Sequence, residues 1–478
     1  MNAPKHSLLR RGLERRKGGD PTVAARLARY VATFRAKDIP ETVTTRAKLL
    51  LLDALGIAQR AARSDYAFRM AAGLRAFGQT PECSVIGSTE KMALRDACIM
   101  NAALIHGLDY DDTHIASIVH PTASAFACAF GIAEMQAREG RDLLAAYVLG
   151  VELLLRIAGT AAGRFNKAGF HPTGLAAHFS CALQAGWLYA LNEAQLTNAQ
   201  GIAGSTASGT QEFLTEGAWN KRLHPGWACM GGLVAARLAQ QGFIAIEQPY
   251  EGRYGLYKGH LGAASADIDI DRLGSDLGET WQLMEVAIKP YPICHMIHAC
   301  ADVALALRHR HDFTLEEITA VEVLIPEGTV PVIAEPTSKK TRPRTEYEAS
   351  FSVQYVVASC LAHGRFGFEE LELHRLHDTS VLALAKKVSV RIDENSPFPR
   401  FFSGGVTIRL KDGRMFSDYE AVNRGAGDRM MSDREILEKF ETNAAYGCSR
   451  AGIARIVEVV MNLERHTTQE LAATLRLT

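Results

Sequence analysis

At 478 residues, with 47 % hydrophobic side chains, the chain has enough apolar material for two or three packed domains and too much for wholesale disorder. Lys plus Arg and Asp plus Glu both number 53, so no global field exists to hold nucleic acid or an anionic membrane, and any attraction for an anion is local. The nine cysteines are scattered without a CxxC pair, which fits the reduced, buried thiols of a cytoplasmic protein rather than a disulfide framework.

The opening segment, MNAPKHSLLRRGLERRKGGD, is basic and lacks an apolar h-region, so residues 1–20 are expected to form a flexible tail rather than a secretory signal. No later apolar run reaches bilayer length. From Thr22 the text reads as successive helices. Val23, Leu27, Tyr30, Val31 and Phe34 recur at three- and four-residue spacing, and RDLLAAYVLGVELLLRIAG is apolar on nearly every side, as a central helix is. Near residue 285 the period changes. ITAVEVLIPEG and KKVSVRIDENSPFP alternate apolar and polar residues, and GGVTIRLKDGRMFS reads as a hairpin turning at Lys411-Asp412-Gly413. Two helices are expected among these strands, near 294–310 and 346–363. After Ser432, SDREILEKFETNAA returns to helix, with Glu435 placed for a capping box. The predicted fold is mainly α. A large helical domain (21–284 and 428–478) is interrupted by a smaller α+β domain (285–427).

Five segments carry chemistry. NAALIHGLDYDDTHIASIVHPTAS crowds aspartates, histidines and Thr113 into a helix end and loop, with Asp109 and Thr113 on one face if the helix persists. Capping aspartates at a solvated helix end are the plain alternative. A calcium loop fits poorly, because its central glycine would fall on His114. His171 precedes a Pro-Thr-Gly turn. Lys221, Arg222 and His224 form a cationic cluster between two tryptophans, beside a Pro-Gly turn, suited to carboxylates or to a helix C-terminus. Lys289 begins KPYPICHMIHAC, where Cys294, His295 and His298 lack the partners a zinc site needs. Tyr355 lies on an apolar helix. Glycine signatures of nucleotide binding and the GxSxG elbow are absent, so no nucleotide cofactor and no serine hydrolase chemistry is expected.

Taken in order, LDYDDTH…HP, GFHPTG, KRLHPG, KPYPICHMIH and FSVQY resemble the MmgE/PrpD family, over nearly the whole chain. That family includes 2-methylcitrate dehydratases, cis-aconitate decarboxylases and an iminodisuccinate epimerase. The resemblance implies a helical domain with an inserted α+β lid, commonly a homodimer, and chemistry without metal or other cofactor. It places Asp109, His120, His171 and Lys289 in the catalytic set. Thr113, Lys221 and Tyr355 hold substrate, joined by Arg222 and His224 from the cationic cluster. The stretch from Thr113 to His120 is about one residue longer than in the decarboxylases, which makes His114 the fallback for His120. The implied function is a cytoplasmic lyase doing acid–base chemistry next to a carboxylate of a small di- or tricarboxylic acid. Dehydration of a 2-methylcitrate-like hydroxy acid leads, ahead of decarboxylation of a cis-aconitate-like acid and epimerisation of an iminodisuccinate-like acid. A non-catalytic polycarboxylate-binding protein is the alternative of another class.

Overall fold

The computed structural model describes residues 21–78 and 80–477, so the expectation for residues 1–20 lies outside the described residues. The chain is mainly helical. One apolar core joins residues between Val23 and Ile288 to those between Met431 and Leu475. A second core runs from Tyr291 to Ala426, with Ile115, Phe213 and Ala287 added from the first part. The smaller unit is therefore inserted into the larger one, with both termini of the insertion at one seam.

The helical unit is built around Leu94–His106, Pro121–Met135, Gly140–Gly159, Pro172–Leu188 and Asn220–Gln240. Pro121–Met135 and Pro172–Leu188 are buried along almost their whole length, which their Ala, Phe, Leu and Cys content permits on every face. Phe126 and Phe130 stack at 5.2 Å and are fully buried, each contributing about 1.5–3 kcal/mol. Cys128, Cys181 and Cys229 bring their thiols together in this core. Asn220–Gln240 lies against both Pro172–Leu188 and Leu94–His106. Gly226 allows the second approach, since a Cβ there would stand 2.6 Å from the Ile99 carbonyl oxygen.

Two segments depart from their sequence reading. HPTG and LHPG read as turns, yet Pro172 is the first residue of a helix with His171 at its N-cap position, and Pro225 lies inside Asn220–Gln240. At the first helical position proline gives up an N–H that has no helical partner, so HPTG serves a turn or a helix opening, whereas Pro225 costs its helix the bond to the Lys221 carbonyl. Lys221 and Arg222 accordingly sit in a first helical turn, not at a helix C-terminus.

The inserted unit carries a four-stranded sheet in the order Val388–Ile392, Ile318–Ile325, Gly404–Leu410, Met415–Glu420. The first pair is parallel, with Val321 opposite Val388, and the other two are antiparallel. Ile318, Val321, Val323 and Ile325 are buried. Helices His298–Arg310 and Val353–His363 complete that core. The hairpin turns at residues 411–413, where Gly413 takes φ +88°. Ser432 and Glu435 form the capping box of Asp433–Ala444. Among the described residues no helix is long and apolar enough to cross a membrane.

Candidate active site

Helix Leu94–His106 ends at His106, and Asp109 follows with φ +52°. The helix does not persist, so Asp109 and Thr113 meet through a loop and not along a helical face. A left-handed backbone at a non-glycine residue costs roughly 1–3 kcal/mol and needs support from around it. That support comes from three distant side chains. Lys289 Nζ donates to the Asp109 carbonyl at 2.7 Å, Lys439 Nζ to the Tyr110 carbonyl at 3.0 Å, and His120 Nδ1 to the Asp112 carbonyl at 2.8 Å. Lys439 is itself paired with buried Asp53 at 2.6 Å.

The Asp109 carboxylate is clasped by two ammonium groups. Lys221 Nζ donates to Oδ1, and Lys289 Nζ stands 3.4 Å from the same oxygen. All three side chains are buried. Burial alone would raise the Asp109 pKa, but Lys221 and Lys289 overcome it and hold the group down at about 2. The second oxygen, Oδ2, is buried without a hydrogen-bond partner in the protein.

Beside this clasp lies a cluster of histidines. The His106 ring is 4.8 Å from His120 and stacks on His171 at 5.5 Å, and His171 Nδ1 meets His224 Nδ1 at 3.0 Å. His120 and His171 cap the buried helices Pro121–Met135 and Pro172–Leu188, whose partly positive ends face the same region as Lys221. Burial pushes the His120 and His171 pKa values well below the usual range. Lys221 and Lys289 add to this at His120, His224 and His106 at His171. Both imidazoles are neutral at pH 7. Asp111, not Asp109, is the carboxylate of this cluster: its Oδ2 takes the His106 Nδ1 hydrogen at 2.7 Å, and its Oδ1 is 3.6 Å from His120 Nδ1. Asp112 turns inward to Thr122 Oγ1 at 2.5 Å, and burial beside Asp111 raises its pKa to about 8.

Thr113 Oγ1 is 3.3 Å from His120 Nδ1, which brings it into the cluster. His114 points elsewhere, its Nδ1 held by Ser117 Oγ at 2.7 Å. Arg222 Nη2 pairs with Glu346 of the inserted unit at 3.0 Å, with its guanidinium 4.3 Å above Tyr66. Tyr355 stands apart. Its hydroxyl donates to the Glu370 carbonyl at 2.7 Å, a structural bond inside the smaller core. His106, Asp111 and Tyr347 join the site without having been singled out from sequence. Tyr347 presents a buried hydroxyl with no partner.

A cavity of about 240 Å³ lies where the two units meet, reaching Asp109, Arg222 and Tyr347. Its size suits a small acid rather than a nucleotide or a drug-sized ligand, whose sites run to roughly 300–1,000 Å³. His106, Asp111 and His120 each offer a potential metal-ligand atom within 4.8 Å of the others. Both imidazoles, however, already spend Nδ1 on protein acceptors.

The MmgE/PrpD N-terminal domain matches residues 25–269 and the MmgE/PrpD C-terminal domain residues 291–465. The chain is 24 % identical to a cis-aconitate decarboxylase-like protein of Aspergillus oryzae, covering 92 % of this chain and 94 % of that one. It is 25 % identical to a cis-aconitate decarboxylase of Aspergillus terreus (93 % and 94 % covered) and 26 % identical to the cis-aconitate decarboxylase of Homo sapiens (93 % and 92 %).

Proposed function

Because the chain belongs to the MmgE/PrpD family, we propose that it is a lyase dehydrating a small hydroxy-polycarboxylate without a metal or organic cofactor. The observation that carries the reading is the pairing of His120 and His171, which burial pushes toward the neutral form, with two buried ammonium groups. His120 gives its Nδ1 hydrogen to the Asp112 carbonyl, which leaves the Nε2 lone pair to take a proton. A neutral base is the form needed to remove hydrogen from a carbon next to a carboxylate. The imidazolium so formed stands beside Asp111, while Lys221 and Lys289 neutralise charge growing on the substrate carboxylate. Thr113 Oγ1 stands 3.3 Å from His120 Nδ1 and the His171 ring 6.4 Å from the His120 ring, and from there they hold substrate oxygens or relay the proton. Return of the abstracted proton, from the His120 imidazolium or through the neighbouring His171, to the departing β-hydroxyl releases water, restores the neutral base and leaves the alkene.

Decarboxylation is the second reading, favoured by the names of the relatives. It needs a proton donor at the start, and the neutral histidines of the resting site favour abstraction instead. Incubation of citrate, 2-methylcitrate and cis-aconitate in D2O, followed by NMR, tests the choice. Alkene formation with deuterium exchange next to a carboxylate is expected. Carbon dioxide release from cis-aconitate alone would replace dehydration by decarboxylation, and saturable binding with no turnover would replace both by a binding protein.

A homodimer is part of the proposal. Trp219, Leu223, Trp227, Val234 and Leu238 are exposed at helical spacing on and beside Asn220–Gln240, an apolar stripe that suits a second copy of the same helix. Sedimentation showing a monomer at micromolar concentration would refute it.

A further inference from the structure

The cavity carries cations that its catalytic reading does not use. Arg60, in the last turn of Glu41–Ala61, lines it together with Arg63, one turn further along the chain. The Arg60 guanidinium is sandwiched, 3.8 Å from the Phe368 ring and 3.7 Å from the Tyr446 ring. Stacking on both faces fixes the plane of the group and leaves only its edge, where the N–H donors lie, for hydrogen bonding. Phe368 belongs to the inserted unit and Tyr446 to the helical one, so the sandwich closes across the seam.

Two carboxylates of the same lining are already matched: Asp109 has Lys221 and Lys289, and Glu346 has Arg222 at 3.0 Å. The third, the exposed Glu372, lies beyond ion-pair distance of Arg60 but close enough to act on its charge. Arg60 and Arg63 have no carboxylate within ion-pair distance among the described residues. Five cationic groups therefore border or back the cavity against three carboxylates. A flat, fixed guanidinium edge with spare donors matches a carboxylate bidentately.

We propose that Arg60, assisted by Arg63, is a specificity subsite that takes a carboxylate distant from the reacting carbon, in the same cavity as the Asp109 clasp. The inference rests on the polycarboxylate reading above and narrows it. One carboxylate meets Lys221 and Lys289, and another meets the stacked guanidinium.

Calorimetric titration of full-length protein with tricarballylate and with glutarate tests it, using wild type, Arg60→Met and Arg60→Lys. Wild type is expected to bind the tricarboxylate at least tenfold more tightly than the dicarboxylate. Arg60→Met should lower tricarballylate affinity about 10–100-fold, the worth of a charge-assisted hydrogen-bonded contact, and leave glutarate within twofold. Arg60→Lys, which keeps the charge and loses the fork, should fall between. Lys221→Met should weaken both acids. Equal loss of both acids in Arg60→Met, or no loss of either, overturns the inference while the functional reading stands. Failure of wild type to bind either acid overturns the functional reading, and the subsite with it. Melting curves of both Arg60 variants exclude misfolding, and a misfolded Met variant leaves the Lys variant to decide on the same comparison.

Discussion

Replacing Asp109 by Asn removes a charge and almost no volume, and the buried clasp makes the outcome calculable. Lys289 Nζ lies 3.4 Å from Oδ1, a separation worth about 5 kcal/mol of attraction at an effective dielectric constant near 20. Lys289 keeps its bond to the Asp109 carbonyl, so part of its desolvation stays covered. Stranding a buried partner typically costs roughly 3–5 kcal/mol. Across 478 residues, unfolding entropy of about 2.1 cal/mol/K per residue makes 1 kcal/mol worth about one degree, so Asp109→Asn should melt roughly 3–5 °C lower. The two lysines it strands then want an anion. Glutarate should bind the variant more tightly than wild type and raise its melting temperature further, while turnover is lost. Scanning calorimetry with and without glutarate measures both effects. An unchanged melting temperature together with unchanged glutarate affinity would show that the lysines do not depend on Asp109 for their counter-charge.

His120→Ala should lower turnover by roughly 10²–10⁴-fold in a protein that remains folded, whereas His114→Ala, losing the Ser117 bond, should lose about 1 kcal/mol of stability and keep its turnover. Paired kinetics and melting curves separate the two, and the reverse pattern would transfer the base to His114. Asp112 carries its own pH signature. Its pKa is raised to about 8 by burial and by Asp111, so its stabilisation is complete below pH 4 and is lost as pH climbs through 8, by at most about 6 kcal/mol. Urea unfolding between pH 6 and 9 should show Asp112→Asn losing less stability than wild type, and parallel curves would contradict the assignment. Treatment with EDTA should leave turnover unchanged. Activity lost and restored by one divalent ion would overturn this, with His106–Asp111–His120 and Cys128–Cys181–Cys229 as the two clusters among the described residues able to hold that ion.

What the sequence made legible was local. The turn at Gly413 and the capping box at Ser432 each depend on neighbours within a few residues, and each is where the pattern put it, while the strands that signalled a change of period near residue 285 begin only at Ile318. Proline was ambiguous for the same reason, since HPTG satisfies both a turn and a helix start. The pairings inside the site were out of reach. Lys221 and Lys289 meet Asp109 across 112 and 180 residues of chain, and no spacing encodes which of three neighbouring aspartates they choose. His106 stood among the histidines of its segment without a role of its own, and only its ring contacts with His120 and His171 set it apart. Tyr355 is the converse case: a motif brought it forward, and in the structure its hydroxyl donates to the Glu370 carbonyl.

The backbone ladder at the seam constrains how this molecule can breathe. Thr113 and Ala287 exchange both amide hydrogen bonds, at 2.8 and 2.9 Å, only two residues before Lys289. A hinge placed at or before 289 would have to unzip that ladder and drag the ammonium away from Asp109 in the same stroke. On this connection any pivot would lie beyond it, at Pro290-Tyr291-Pro292, where two pyrrolidine rings restrict rotation. The insertion is tied at its other end as well, where Arg424 pairs with Glu435 of the helical unit. A tilt of the inserted unit that respected both ties would carry Phe368 off Arg60 while Lys289 stayed with the helical half. Admission of substrate would then be separate from assembly of the charge clasp, which stands ready beforehand.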